Sequence, residues 1–183
     1  MREVRGSVFV DYVRMMRGNH DCDWNAHLLP EDLPFLAQDV RPNNWYPMAT
    51  FERMGNAILK EVAQSNLQAV QAWGRASVAP LLAQYPDLAK VGDAMETMAR
   101  FMIMRKTLFS YDVFSFKELV PVHAVVAVSF QMGNTAEEAA SYQTLGFFES
   151  VLETAGANEV SAAFETKSWA GDALTLVNLS WAN

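Results

Sequence analysis

The sequence predicts an α+β protein in which a helical front half precedes an antiparallel sheet. A change of hydrophobic period carries that reading: apolar residues recur every three or four positions before residue 110 and at every second position after it. Composition agrees. The 183 residues are 51% hydrophobic and 19% charged, which suits a buried core and excludes disorder. With no internal repeat, low-complexity tract or linker, one domain over 1–183 is expected: a helical half, 1–109, then a sheet half, 110–183, of four antiparallel strands with one inserted helix.

Each element follows from local pattern. Val4, Val8, Phe9, Tyr12, Val13 and Met16 fall at helical spacing, and Gly18-Asn19 ends the run. After a polar loop comes a short helical turn at 31–38, and Pro42-Asn43-Asn44 breaks the chain again. Trp45-Tyr46-Pro47 is expected to open a second long helix, Pro47 sitting in the first turn where a missing N–H costs nothing. Its stripe is Phe51, Met54, Ile58, Leu59 and Val62. Ser65 or Asn66 caps a third helix that Pro80 should kink or split and Tyr85-Pro86 should close. Asp87 is expected to cap a fourth, running to Phe109 and carrying Leu88, Val91, Met95, Met98 and Met102.

In the back half, Phe114 and Phe116 mark one strand, and Val122 to Met132 reads as a central strand covered on both faces. Thr135 and Glu138 have capping-box spacing and open a helix that Gly156 stops. Val160-Ala162-Phe164 and Ala173-Thr175-Val177-Leu179-Trp181 alternate as two more strands, joined by a turn at Ala170-Gly171-Asp172.

A formal net charge of -7 argues against nucleic-acid or membrane binding through bulk charge. The single cysteine, Cys22, allows no internal disulfide and suits a reducing compartment, and the first residues lack the apolar stretch of a secretory signal, so the cytoplasm is the expected location. Residues 19–32 hold the densest set of ligand-type side chains. His20, Cys22 and His27 lack a fourth zinc ligand. Asp21, Asp23, Asn25 and Asp32 echo a calcium loop, yet Ala26 stands where glycine is required and Asp32 where glutamate is usual. The plainer reading is a solvated loop whose polar side chains cap the backbone.

His123 sits in the most apolar strand and reads as a hydrogen-bonded core histidine; Ser129 and Gln131, on the same face, allow a small polar site instead. No nucleophile elbow, phosphate loop or carboxylate pair appears, and no enzymatic activity is expected. Met95, Met98, Met102 and Met104 form either an adaptable wall for an apolar ligand or partner helix, or plain core against the sheet. Trp45, Trp73, Trp169 and Trp181 read as packing anchors.

Several short motifs taken in order resemble a known family. Arg5 to Phe9 (RGSVF) opening a helix, Tyr46-Pro47, Trp73 to Arg75 (WGR) and Tyr85-Pro86, followed by strand, strand, helix, strand, strand, resemble the haem–nitric-oxide/oxygen-binding (H-NOX) superfamily. That superfamily also includes 4-vinyl reductase domains and trafficking-complex subunits, and a bacterial paralogous family of unknown function looks similar in its WYP and sheet-terminal Trp. The resemblance implies an H-NOX-like fold with a cleft between helices and sheet. It also implies a histidine on the helix before the sheet as iron ligand, and a Tyr-x-Ser-x-Arg motif on the second strand for the haem propionates. Here residues 87–109 hold no histidine, and the strand reads Ser129 to Asn134 (SFQMGN). Ordinary haem binding is therefore expected to be absent, with no cofactor. The expected function is a non-catalytic, haem-free sensory or regulatory module. Its pocket would be lined by Met95, Met98, Met102, Phe114, Phe116, Val126 and His123, for an apolar small molecule. A ligand-free dimeric assembly module and a cryptic haem or metal sensor using His123, His20 or Cys22 are the alternatives; a protein partner or homodimer is expected, and no nucleic acid or membrane.

Overall fold

The computed structural model of the chain describes residues 1–182. It divides into two compact units, one of residues 1–67 with 107–111 and one of 68–106 with 112–182.

In the first unit α1 (Gly6–Gly18) packs against α3 (Met48–Glu61), with a short α2 (Pro34–Ala37) beside α1. Phe9 is fully buried, stacks on Tyr46 at 4.6 Å and meets Phe35 edge to face at 5.4 Å. Tyr12 stacks on Phe51 at 4.2 Å. Two expectations need correction here. Val4 belongs to a strand, β1 (Glu3–Arg5), and Trp45-Tyr46-Pro47 is its antiparallel partner β2 (Trp45–Pro47), so Pro47 is the N-cap of α3 and lies outside it. The physical reason is pairing: Val4 also bridges Phe109, and the Arg5 N–H donates to the Leu108 carbonyl at 2.8 Å, so this extended backbone finds partners that a helix would forfeit. The chain at 42–44 crosses the start of α1, taking the Gly6 N–H on the Asn44 carbonyl at 2.8 Å and the Ser7 N–H on the Pro42 carbonyl at 3.0 Å. Only glycine fits there; a Cβ at Gly6 would lie 2.0 Å from the Arg41 carbonyl oxygen.

The second unit is a four-stranded antiparallel sheet with helices on one face. Its strands are β3 (Phe114–Val120), β4 (His123–Val128), β5 (Asn158–Thr166) and β6 (Thr175–Ala182), in the order β3-β4-β6-β5. The covered face alternates as a pleat requires: Phe114 and Phe116 pair with Val128 and Val126, which continue into Thr175 and Val177. Both edge strands, β3 and β5, carry register shifts that interrupt the exposed ladder and disfavour sheet-to-sheet pairing.

The helices are α4 (Leu67–Ala76), α5 (Val78–Gln84), α6 (Ala94–Met104) and α7 (Asn134–Thr154). The expected break is present: α4 and α5 part at Ser77, and Pro80 stands in the first turn of α5, where its missing N–H leaves no bond unmade. The fourth helix starts later than expected. Asp93, not Asp87, is its cap, its carboxylate accepting the Glu96 N–H at 2.9 Å. α6 ends at Met104 and passes into a 3₁₀ turn over Arg105–Thr107. β4 is central but ends at Val128, so residues 129–133 form a loop. α7 opens on Gly133 without the Thr135–Glu138 box, and Gly156, at φ +90°, follows it in the left-handed conformation.

α7 is buried on two sides, against the sheet and against α4. At the α4 crossing two glycines meet backbone reciprocally: a Cβ on Gly74 would lie 1.8 Å from the Gln143 carbonyl oxygen, and one on Gly146 would lie 1.9 Å from that of Gln71. Beside this crossing Arg75 donates to Glu149 at 3.1 Å and to Glu153, while Gln71 Nε2 donates to Glu149 at 2.9 Å. The Trp73-Gly74-Arg75 tripeptide is thus a clamp between two helices. Among the described residues no helix is long and apolar enough to cross a membrane.

Candidate functional site

α6 is the element around which the sequence-derived site residues gather. Its buried face carries Ala94, Thr97, Met98 and Phe101, positions three and four apart as one helix face requires. Phe101 is 1% exposed and its ring is surrounded by others: Phe114 at 5.4 Å, Phe147 and Phe148 at 5.3 Å, and Phe116 at 6.3 Å. Phe114 in turn meets Phe130 at 5.8 Å. Edge-to-face and tilted pairs at these separations are the favourable aromatic geometry.

Of the expected pocket residues, Met98, Phe114 and Val126 are buried here, and Met102 and Phe116 are half-buried. Met95 is 38% exposed and shares a flank of α6 with Met102, seven residues on. His123 is placed apart. Strand alternation puts it on the face of β4 opposite Val126, where its Nε2 lies 3.2 Å from Asn178 Oδ1 and its Nδ1 3.6 Å from Glu118 Oε1. Ser129 and Gln131 lie beyond the end of that strand. The opposite flank of α6 borders a concavity of about 560 Å³ walled by Tyr85, Pro86, Leu88, Ile103 and Met104 together with the polar Gln84, Asp87 and Arg100, with Ile103 76% exposed.

Two residues that pattern reading passed over shape this region. Phe101 stands three positions after Met98, so the helical spacing that selected the methionines contains it. Glu137 is buried in the first turn of α7 and its two carboxylate oxygens accept the N–H groups of Phe130 at 2.7 Å and Met132 at 3.0 Å. It closes the loop after β4 from within.

The ligand-rich loop at 19–32 belongs to the first unit and is held by ordinary contacts. Trp24 Nε1 donates to the Met16 carbonyl at 2.9 Å, and Asp23 accepts the Asn25 N–H at 3.2 Å. His27 Nε2 lies 2.8 Å from Glu61 Oε1. Asp32 is fully buried and accepts from Thr50 Oγ1 at 2.6 Å, Arg53 Nε at 2.6 Å and the Leu29 N–H at 2.9 Å. Burial pushes its carboxyl pKa up, but the hydrogen bonds from Arg53, Thr50 and Leu29 outweigh it and hold the group below the ordinary carboxylate value. Its neighbours in this loop, His20, Asp21 and Cys22, do not converge with it: among the described residues no three His, Cys, Asp or Glu side chains are arranged to hold a metal ion.

No protein-family model matches this sequence, and no curated protein is detectably similar to it. Solved structures do match in fold. An H-NOX protein from S. oneidensis, in the Fe(II)NO ligation state, superposes with a TM-score of 0.68 at 11% identity, covering 98% of this chain and 99% of the other. The Fe(II) unliganded H-NOX protein from K. algicida gives 0.68 at 10% identity, over 98% and 97%. A mutant of the T. tengcongensis H-NOX gives 0.60 at 10% identity, over 98% of each chain. The chain therefore has an H-NOX-like fold. The first two are described by the ligation state of their iron, and the family resemblance implies a haem held by a histidine on the helix before the sheet. α6 offers thioethers and no imidazole, and its interior face is packed by Phe101 and the rings around it. Of the three histidines, His20 is on an exposed loop, His27 faces Glu61 and His123 faces Asn178 and Glu118. These residues do not fit such a group.

Proposed function

We propose that this chain is a sensory or regulatory module of the H-NOX-like fold that works without haem, catalyses no reaction and takes an apolar small molecule against α6. The observation that carries the proposal is the pairing of an H-NOX-like fold with a helix that lacks imidazole and drives Phe101 into a phenylalanine cluster. The wall of the proposed site is Met98, Phe114 and Val126, with Met95, Met102 and Phe116 at its accessible edge. Thioether side chains repack at small cost, which suits a surface that adapts to an apolar guest. The concavity at Ile103 is a second place on α6 for such a guest, since its volume falls in the range of small-molecule sites and Tyr85, Leu88, Ile103 and Met104 give it an apolar part. A reducing, cytoplasmic setting belongs to the proposal as well, in keeping with the free Cys22.

Native mass spectrometry of the purified chain tests this. The expected result is a complex heavier than the polypeptide by a non-covalent apolar molecule, released on denaturation. Met102→Glu and Ile103→Glu set a carboxylate on each flank of α6, and one of them is expected to release the guest. An empty dimer that persists on dilution would replace the proposal with an assembly module. A guest retained by both variants would remove it from α6.

A further inference from the structure

The first unit contains a second concavity, of about 380 Å³, where residues 38–44 pass over the rings of Phe35 and Tyr46. It is lined chiefly by polar side chains: Gln38, Asp39, Arg41 and Asn44. The aromatic floor is fixed, the two rings meeting edge to face at 5.7 Å with Phe9 stacked behind Tyr46. The rim is fixed too. The Arg41 carbonyl accepts the Asn44 N–H at 3.1 Å and lies so close to Gly6 that the loop cannot move inward.

What this rim presents is unspent polar capacity. Tyr46 is 8% exposed, and its hydroxyl oxygen accepts the Arg41 N–H at 2.8 Å. That bond uses a lone pair and leaves the phenolic proton without an acceptor among the described residues. Asp39 and Arg41 border the same cavity, yet among the described residues neither forms an ion pair, with the other or with any third group. A lone anion drawn to Arg41 would be repelled by Asp39, and a lone cation would meet the reverse. A molecule with both charges close together satisfies both side chains.

We propose that this cavity binds a free α-amino acid. Its carboxylate is held by the Arg41 guanidinium and the Tyr46 hydroxyl, its ammonium by Asp39, and its side chain lies over Phe35. The volume accommodates such a ligand, and the loop backbone held at Arg41 and Asn44 over fixed rings lowers part of the ordering cost of holding it.

Isothermal titration of the full chain with the proteinogenic L-amino acids, one at a time, tests the proposal. Saturable binding is expected for at least one of them at millimolar concentration or below. Blocking either end of that amino acid, as its N-acetyl derivative or its amide, is expected to weaken binding at least about ten-fold, the loss expected when one charged partner of a paired site goes unmet. Asp39→Asn and Arg41→Gln are each expected to do the same while leaving the thermal midpoint unchanged, since both side chains are exposed. Absence of saturable heat for every amino acid overturns the proposal. So does equal binding of the blocked derivatives, an arm that depends on no variant folding.

Discussion

Replacing Gly74 by alanine is the sharpest test of how α4 and α7 are joined. The new Cβ would lie 1.8 Å from the Gln143 carbonyl oxygen and 2.7 Å from its carbon. Relaxed carbon–oxygen contact begins at about 3.3 Å, so the helices must part by roughly 1.5 Å. That movement also opens the reciprocal contact, where Gly146 faces the Gln71 carbonyl, and stretches the 3.1 Å bond from Arg75 to Glu149. Alanine gains about 1 kcal/mol of helix propensity over glycine. Overpacking costs about 1–3 kcal/mol or more, and rigid backbone on both sides puts this site at or above the upper end. The expected net loss is about 2 kcal/mol, a fall in thermal midpoint of about 4–8 °C for a chain of this length. Circular dichroism melts and urea titration read it directly. Gly146→Ala is expected to cost a similar amount, and the double variant less than the sum, because one separation of the helices relieves both clashes. A Gly74→Ala protein melting at or above the parent would refute the reasoning.

Other consequences follow from single side chains. Phe101→Ala is expected to lose about 3–5 kcal/mol by urea unfolding, the usual cost of removing a buried ring; a loss below 1 kcal/mol would mean the cluster is not tightly packed. Asp32→Asn is expected to destabilise the chain by about 3 kcal/mol, the low end for a broken buried pair, because the Arg53 side chain is 29% exposed. Since the folded Asp32 carboxyl sits below its unfolded value of about 3.9, its contribution is present above that pH and is lost as pH falls through the folded pKa. Acid titration of the parent should show that loss, and the Asn variant should not. Glu137→Gln is expected to cost about 1–3 kcal/mol, because an amide offers one oxygen to two N–H groups that the carboxylate serves with two; hydrogen exchange at Phe130 and Met132 should quicken.

The architecture was legible where burial imposes a period. The switch from helical to alternating spacing located the sheet, and Pro80 located the division between α4 and α5. Elements set by long-range pairing were not legible. Val4 continues a helical stripe in sequence, and nothing local reveals that Phe109 and Tyr46 will pair with it. Caps were misjudged for a similar reason: Asp87 and Asp93 both precede apolar runs, and Glu137 and Glu138 are adjacent carboxylates, so tertiary position decides which one bonds. The short motifs behind the family resemblance have physical causes. Gly6 admits the crossing chain, Tyr46 stacks on Phe9, and Gly74 with Arg75 clamps α7. The methionine spacing pointed to α6 and to half of the proposed wall, Met95, Met98 and Met102. His123 groups with them only if the apolar strand runs on to Met132, because alternation along such a strand gives no sign of which face the core takes. Asp39 and Arg41 carry no signal in the sequence, since two charges in a loop border a cavity only when the loop folds over Phe35 and Tyr46.

The most direct measurement is an optical titration of the purified chain with ferrous haem under anaerobic conditions. If α6 and the sheet lack the donors and the room, the spectrum stays the sum of free haem and protein, with no new Soret band and no change when nitric oxide is added. A sharp one-to-one Soret transition that persists through gel filtration would contradict the account at its root.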